Sequence, residues 1–192
     1  LSANGIAFDA VTKTERVPIR VNIPGGFMVY NTLDVLGAAL ALGISLKDSA
    51  AVLAKVPHVQ GRVEVVPTPG KDYTILIDYA HTPDSMVNVL QTVKKFAKGR
   101  TVAVFGCGGD RDKTKRPRMG KAAADWSDFA IVTTDNPRTE EPAAIIQDIL
   151  PGFDGSNTPY EVVEDRVEAI RWAMDHAQKD DVIVLCGKGH ET

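Results

Sequence analysis

From about residue 63 onward, short runs of Val, Ile and Leu alternate with longer amphipathic stretches, and this alternation restricts the fold more than any other feature of the chain. The apolar runs at 63–66, 73–77, 101–105, 129–133, 160–163 and 182–185 predict strands. The stretches at 83–96, 115–126, 142–150 and 166–176 carry helical periodicity and predict helices between them. Nearly continuous runs of Val, Ile and Leu belong to parallel strands covered on both faces. A β-α alternation of this length implies an α/β, Rossmann-like fold. Its sheet is open and mostly parallel, with right-handed crossovers and helices on both faces.

The first 57 residues read differently. Residues 1–30 have β character: 17–23 alternates apolar and polar apart from Pro18, and Pro24-Gly25-Gly26 ends the run as a turn. A helix is predicted over 31–43, capped by Asn31, with Leu33, Leu36, Ala39 and Leu40 on one face and Gly43 as its stop. A second short helix follows over 45–55, with Pro57 just past its end. The change in pattern puts a domain boundary near 57–61, giving domains 1–57 and 58–192. The chain starts at Leu1 and stops inside the glycine- and charge-rich turn Gly187-Lys188-Gly189-His190-Glu191-Thr192. It therefore reads as a piece of a longer protein, its second domain incomplete at the C-terminus.

Composition narrows the function by exclusion. With 44% hydrophobic and 24% charged residues the chain is ordinary globular protein. A net charge of -3 gives no pull toward nucleic acid or an anionic membrane. No apolar run approaches the roughly 20 residues of a membrane-spanning helix. Two cysteines, Cys107 and Cys186, make no disulfide framework, and both read as small buried residues at strand ends. A metal site joining them to His81 and His190 has no ligand spacing in its favour.

In open parallel sheets ligands bind beyond the carboxyl ends of the strands, so the residues there carry the functional signal. Four such segments follow predicted strands: Asp78-Tyr79-Ala80-His81-Thr82-Pro83, Gly106-Cys107-Gly108-Gly109-Asp110-Arg111-Asp112, Thr134-Asp135-Asn136-Pro137-Arg138 and Cys186-Gly187-Lys188-Gly189-His190-Glu191. Charge stands at every one, with glycine or histidine in three of the four, which a mere scaffold does not need. The glycine loop fails the dinucleotide pattern G-x-G-x-x-G, because Arg111 stands where the third glycine belongs. An arginine there suits a carboxylate, which it can grip with two parallel hydrogen bonds. Asp135-Asn136-Pro137-Arg138 offers an acceptor, an amide and a guanidinium around a rigid proline, a set able to hold a zwitterion. The same residues could also form a plain turn that caps the following helix. Arg111, Lys113, Lys115, Arg116, Arg118 and Lys121 form a basic run, expected as a rim that attracts an anionic substrate. His81 follows a strand beside Asp78 and fits either an acid-base or nucleotide contact or a structural cap. No Walker A loop and no H-E-x-x-H zinc motif is present.

These motifs, in this order and spacing, resemble the Mur ligases, which build the peptide of the bacterial cell wall. The resemblance rests on Gly61-Arg62-Val63-Glu64, on Asp78 to Pro83, on Phe105 to Lys113, on Asp135-Asn136-Pro137-Arg138-Thr139-Glu140-Glu141-Pro142 and on Gly187 to Glu191. Gly25-Gly26-Phe27-Met28-Val29-Tyr30-Asn31 is similar to the family's G-x-F-N-V-Y-N segment, with Met28 in place of its first Asn. The resemblance implies the tail of a central P-loop-type α/β ATPase domain, followed by most of a C-terminal domain that receives an amino acid. It implies ATP contacts at Asn31 and Arg62, with Asp78 and His81 near the nucleotide. It implies a meso-diaminopimelate site at Arg111, Asp135, Asn136, Pro137, Arg138, Gly187 and Glu191.

The implied reaction is ATP-dependent addition of meso-2,6-diaminopimelate to UDP-N-acetylmuramoyl-L-alanyl-D-glutamate, through an acyl phosphate, with Mg²⁺ bridging the phosphates. The implied setting is a cytoplasmic monomer serving peptidoglycan synthesis, and with it cell shape and division. Diaminopimelate differs from lysine by a second carboxylate, and buried arginines left unpaired by lysine would cost on the order of 2–5 kcal/mol. The P-loop and metal ligands lie outside this sequence, so no residue here is assigned a catalytic or metal-binding part, and the chain alone is expected not to ligate. The rival expectations are a lysine-adding Mur ligase, a folylpolyglutamate synthetase-like ligase, a non-catalytic amino-acid-binding module and a Rossmann oxidoreductase.

Overall fold

The computed structural model describes residues 5–57 and 59–189, which fall into two compact units, one up to Val59 and one from Gln60. In the first unit β1 (Ile6–Val11) and β2 (Arg16–Val21) form an antiparallel hairpin, with Ile6 opposite Val21 and Val11 opposite Arg16. Alternate side chains point to one face, where Ile6, Ala10, Ile19 and Val21 are buried. A two-stranded hairpin is marginal by itself. Here α1 (Phe27–Ala41) and α2 (Leu46–Leu53) complete the core with Leu36 and Leu46. Ser45 caps α2 by accepting the Asp48 N–H.

The first helix departs from the sequence expectation. It begins at Phe27, not at residue 31, and Asn31 lies inside it, exposed and capping nothing. Met28 N–H and Val29 N–H donate to the Gly25 and Gly26 carbonyls, so the glycines start the helix where a turn ending a β region was expected. The apolar run 27–30 fits either period, and the helix nucleates on it. Of the face expected to be apolar and inward, Leu36 is buried while Leu33 and Leu40 are exposed; Thr32 joins Leu36 inside.

The second unit is built on a six-stranded sheet in the order β3-β4-β8-β5-β6-β7. Its strands are β3 (Glu64–Val66), β4 (Thr74–Asp78), β5 (Thr101–Phe105), β6 (Phe129–Val132), β7 (Tyr160–Val162) and β8 (Val182–Cys186). Edge strand β3 runs antiparallel to β4, and every other neighbouring pair is parallel. The expected fold class is thus observed. All five residues of β5 are buried, as a continuous apolar run requires.

Four helices make the crossovers: α3 (Pro83–Lys94), α4 (Lys115–Trp126), α5 (Pro142–Ile149) and α6 (Arg166–Asp175). Ala169 and Ala173 of α6 cover one face over Ile75, Val102, Val104, Ile131 and Ile183. Helices α3 and α4 pack on each other and on β5, β8 and β6. The wide spread of the sheet therefore has helical cover on both faces. At the amino ends of the strands Asp181 is buried against Arg100, accepting its Nη2 at 2.6 Å and the N–H of Gln178 at 2.7 Å. That pairing pins the loops that enter β5 and β8.

Candidate functional site

Because β8 inserts between β4 and β5, the carboxyl ends of β4, β8, β5 and β6 stand side by side, and their four outgoing loops converge. Glycine makes the convergence possible. A Cβ on Gly109 would lie 1.8 Å from the Pro137 carbonyl oxygen, so no side chain fits where the loop after β5 meets the loop after β6. The Gly109 N–H donates to the Asn136 carbonyl at 2.9 Å across the same contact. At the other end of the site a Cβ on Gly61, whose φ is +67°, would lie 2.6 Å from Gly189 Cα. These glycines let backbone pack on backbone, which explains a glycine-rich loop without a dinucleotide.

A pocket of about 420 Å³ opens between the loops. Arg111, Lys115 and Arg138 line it, together with Asp112, Asp135, Asn136, His81 and Gly187. Both signs of charge face one cavity, with cations in the majority. The Arg138 and Arg111 side chains flank Gly108, whose Cβ position is 2.8 Å from Arg138 Nη1 and 3.9 Å from Arg111 Cγ. Arg138 is held by the Gly109 carbonyl at 2.7 Å, and Arg111 donates to the Asp110 carbonyl at 3.2 Å. On the acceptor side Lys188 Nζ donates to Asn136 Oδ1 at 3.2 Å and lies 3.7 Å from Asp135 Oδ1.

The remaining expected residues are more scattered. Pro137 supplies its carbonyl to the contact with Gly109 and is not in the pocket lining. The Arg62 guanidinium lies 5.2 Å from the Tyr79 ring centroid, and the Tyr79 and His81 rings are 4.7 Å apart and tilted, so Arg62, Tyr79 and His81 form one contact group. Lys115 Nζ donates to the His81 carbonyl at 3.0 Å. Asp78 is buried, and its two oxygens accept the N–H groups of Val63 and Ala80 at 2.9 and 2.8 Å. Burial pushes its carboxyl up, while those two donors and Arg62 oppose the rise. Its visible work is to bind the strand end to the Gly61–Val63 loop. Asn31 belongs to the other unit, in α1. Glu191 and His190 lie outside the described residues.

The basic run does not form the expected rim. Arg111 and Lys115 reach the pocket, but Arg116 is fully buried, Lys113 pairs with Glu140 at 3.0 Å, and Lys121 pairs with Asp125 along the helix. A buried arginine inside a surface-like charge run gives no sequence signal, because helical phase alone decides which residue turns inward. Arg166 was likewise not foreseen. Its guanidinium donates to the Cys186 carbonyl at 2.8 Å and the Thr134 carbonyl at 3.4 Å, tying the ends of β8 and β6 together. Both cysteines are buried, and burial pushes the thiols up to about 11 for Cys107 and about 12 for Cys186. Neither is a thiolate nucleophile. Among the described residues no group of three or more His, Cys, Asp or Glu could hold a metal ion. No helix among them is long and apolar enough to cross a membrane.

Comparison with known proteins identifies relatives of the chain. A family profile described as "Mur ligase, glutamate ligase domain" matches residues 61–189. The UDP-N-acetylmuramoyl-L-alanyl-D-glutamate–2,6-diaminopimelate ligase of Clostridium botulinum is 50% identical over 192 residues, all of this chain and 39% of the relative. The enzyme of the same description from Clostridioides difficile is 48% identical over 190 residues, 99% of this chain and again 39% of the relative. The chain thus spans about two fifths of the curated relatives it matches. A solved ligase of that same description is 38% identical with a TM-score of 0.68, covering 99% of this chain and 39% of the other. UDP-N-acetylmuramate–alanine ligase MurC of Thermotoga maritima shares the fold at 22% identity, with a TM-score of 0.74 over 97% of this chain and 40% of its own.

Proposed function

The chain belongs to the Mur ligase family, and we propose that it serves a ligase that joins meso-2,6-diaminopimelate to UDP-N-acetylmuramoyl-L-alanyl-D-glutamate at the expense of ATP. The observation that carries the reading is the single pocket in which Arg111 and Arg138 stand beside Asp135 and Asn136. Diaminopimelate has an acid at each end, each beside an amine. Two guanidiniums pair with its carboxylates, and Asp135 with the Asn136 amide oxygen takes an ammonium. Glu191 is assigned to the same amino acid, and Gly187 lines its pocket. The arginines expected to be buried are exposed in the open pocket, so a lysine would leave one guanidinium to water, at a cost of about 1 kcal/mol.

The contribution of this chain to the reaction is proximity and orientation. The pocket holds the incoming amino acid so that its neutral amine meets an activated carboxyl. In this reading ATP converts the dipeptide's carboxylate to an acyl phosphate, and the amine of diaminopimelate displaces phosphate. Arg62, layered on Tyr79, and His81 offer a cation and aromatic faces to a nucleotide, and Asn31 is a further candidate contact. Mg²⁺ would neutralise phosphate charge when bound, and no residue described here is assigned to it. We place the parent enzyme in the cytoplasm as a monomer serving cell-wall growth, and so cell shape and division.

Calorimetry with meso-diaminopimelate and with lysine tests the reading. Arg138→Ala is expected to weaken diaminopimelate binding by about 1–2 kcal/mol while changing lysine binding little. Equal affinity of Arg138→Ala and the unaltered chain for diaminopimelate would remove Arg138 from the site.

A further inference from the structure

Arg116 and Glu140 are a charged pair beside the pocket that does not line it. Arg116 projects from α4 and is fully buried, its Nε without a hydrogen-bond partner and its two terminal nitrogens paired. It donates to both Glu140 oxygens at 2.8 and 3.0 Å, to Asp148 Oδ2 at 2.8 Å and to the Gly108 carbonyl at 3.5 Å. Glu140 also accepts the Asp110 N–H at 2.7 Å. The Asp110 carboxylate in turn accepts the Thr139 hydroxyl at 2.8 Å and the Thr139 N–H at 3.2 Å. The contacts close a ring between the loop after β5 and the loop after β6. Each of the two site arginines is a direct chain neighbour of this ring: Arg111 follows Asp110, and Arg138 precedes Thr139.

The backbone at the ring is unusual. Asp110 and Arg138 have φ of +51° and +54°, a left-handed conformation that residues with side chains adopt only where their surroundings hold them. A buried ion pair is also an uneconomical way to stabilise a fold, since an apolar pair of similar volume does as well or better. What the fork of Arg116 supplies, and an apolar group cannot, is fixed geometry.

We propose that Arg116 and Glu140 are positioning residues that set the separation of the Arg111 and Arg138 guanidiniums, and through it the preference for an amino acid with two carboxylates over lysine. The selectivity half rests on the diaminopimelate site proposed above; the positioning half rests on the ring alone. Glu140→Gln keeps size and one acceptor while removing the charge that Arg116 grips. In the 192-residue chain this variant should let the Asp110 amide exchange with solvent about tenfold faster or more, while amides of β4, β5 and β8 keep their protection. Unchanged exchange at Asp110 overturns the positioning claim.

In calorimetry the ratio of diaminopimelate to lysine affinity should fall about tenfold in Glu140→Gln, with lysine affinity held within about twofold. An unchanged ratio overturns the selectivity claim. A merely structural role would lower both affinities together. Arg116→Lys keeps the charge and loses the fork, so intermediate values are expected, and values equal to those of the unaltered chain would overturn the part given to the fork. If the unaltered chain binds neither amino acid, the selectivity claim falls with the site reading, and the exchange measurement decides positioning without them.

Discussion

Gly109→Ala is the smallest change that tests how the site is assembled. The added methyl group would sit 1.8 Å from the Pro137 carbonyl oxygen, where carbon and oxygen ordinarily keep about 3.3 Å. Backbone cannot rotate out of the way as a side chain can, so the two loops must part by about 1.5 Å. That separation breaks the 2.9 Å bond from Gly109 N–H to the Asn136 carbonyl, worth about 1 kcal/mol. It also removes the Gly109 carbonyl from its 2.7 Å contact with Arg138. Adding the strain of an overpacked contact, the loss of stability should be about 2–4 kcal/mol. A displacement of this size at a positioned group also costs about a hundredfold in function. Denaturant unfolding measures the first and calorimetry with meso-diaminopimelate the second. Gly37→Ala in α1, where a methyl group meets nothing within 4 Å, is the control and should be neutral or slightly stabilising. A Gly109→Ala chain with unaltered stability and affinity would refute the claim that loop packing through backbone holds the site.

Two more outcomes follow from the electrostatics. The Arg116 fork, helped by the Asp110 N–H and Lys113, holds the Glu140 carboxyl down to about 2 against an ordinary 4.5. A depressed folded-state pKa gives stability that is complete above 4.5 and is lost as pH falls from there toward about 2. Glu140→Gln should flatten that part of the melting-temperature profile, and an identical slope in both proteins would contradict it. Asp181→Asn should destabilise the sheet domain by about 2–3 kcal/mol by denaturant unfolding, because Oδ1 of the carboxylate accepts the Arg100 backbone N–H and Nε while Oδ2 accepts Arg100 Nη2 and the Gln178 N–H, and an amide keeps only one acceptor oxygen. The figure is set below that of a fully buried pair because Arg100 remains 31% exposed; a loss under about 1 kcal/mol would show the pairing to be dispensable.

The inner strands were legible because burial on both faces forces a continuous apolar run, as in β5 and β8, whereas edge strands β3 and β7 carry Glu64 and Glu161 and are not fully buried. Strand β5 and helix α4 fall where the pattern puts them, at Thr101–Phe105 and Lys115–Trp126. Helix α1 was misread at its start because Phe27 to Tyr30 is apolar under either period and Asn31 resembles a cap. Arg111, Asp135, Asn136, Arg138 and Gly187 were legible as neighbours because charge stands at every strand end, while the glycines there serve the packing of backbone on backbone. Their supports were not: Arg116 is one basic residue among several, and only the phase of α4 turns it inward toward Glu140. Asp78 misled in the opposite direction, standing in a site-like segment while its carboxylate serves two backbone amides.

The seam between the loops after β5 and β6 is made of main chain: a glycine against a carbonyl, with an amide bond beside it. Main chain is the same whatever letters the neighbours carry. A cavity side chain that does not bridge the joint, such as Arg111, can therefore be exchanged without reopening it, whereas Arg138 also ties the Gly109 carbonyl; an engineer seeking a pocket for a different amino acid should rewrite Arg111 first and leave Gly109 alone.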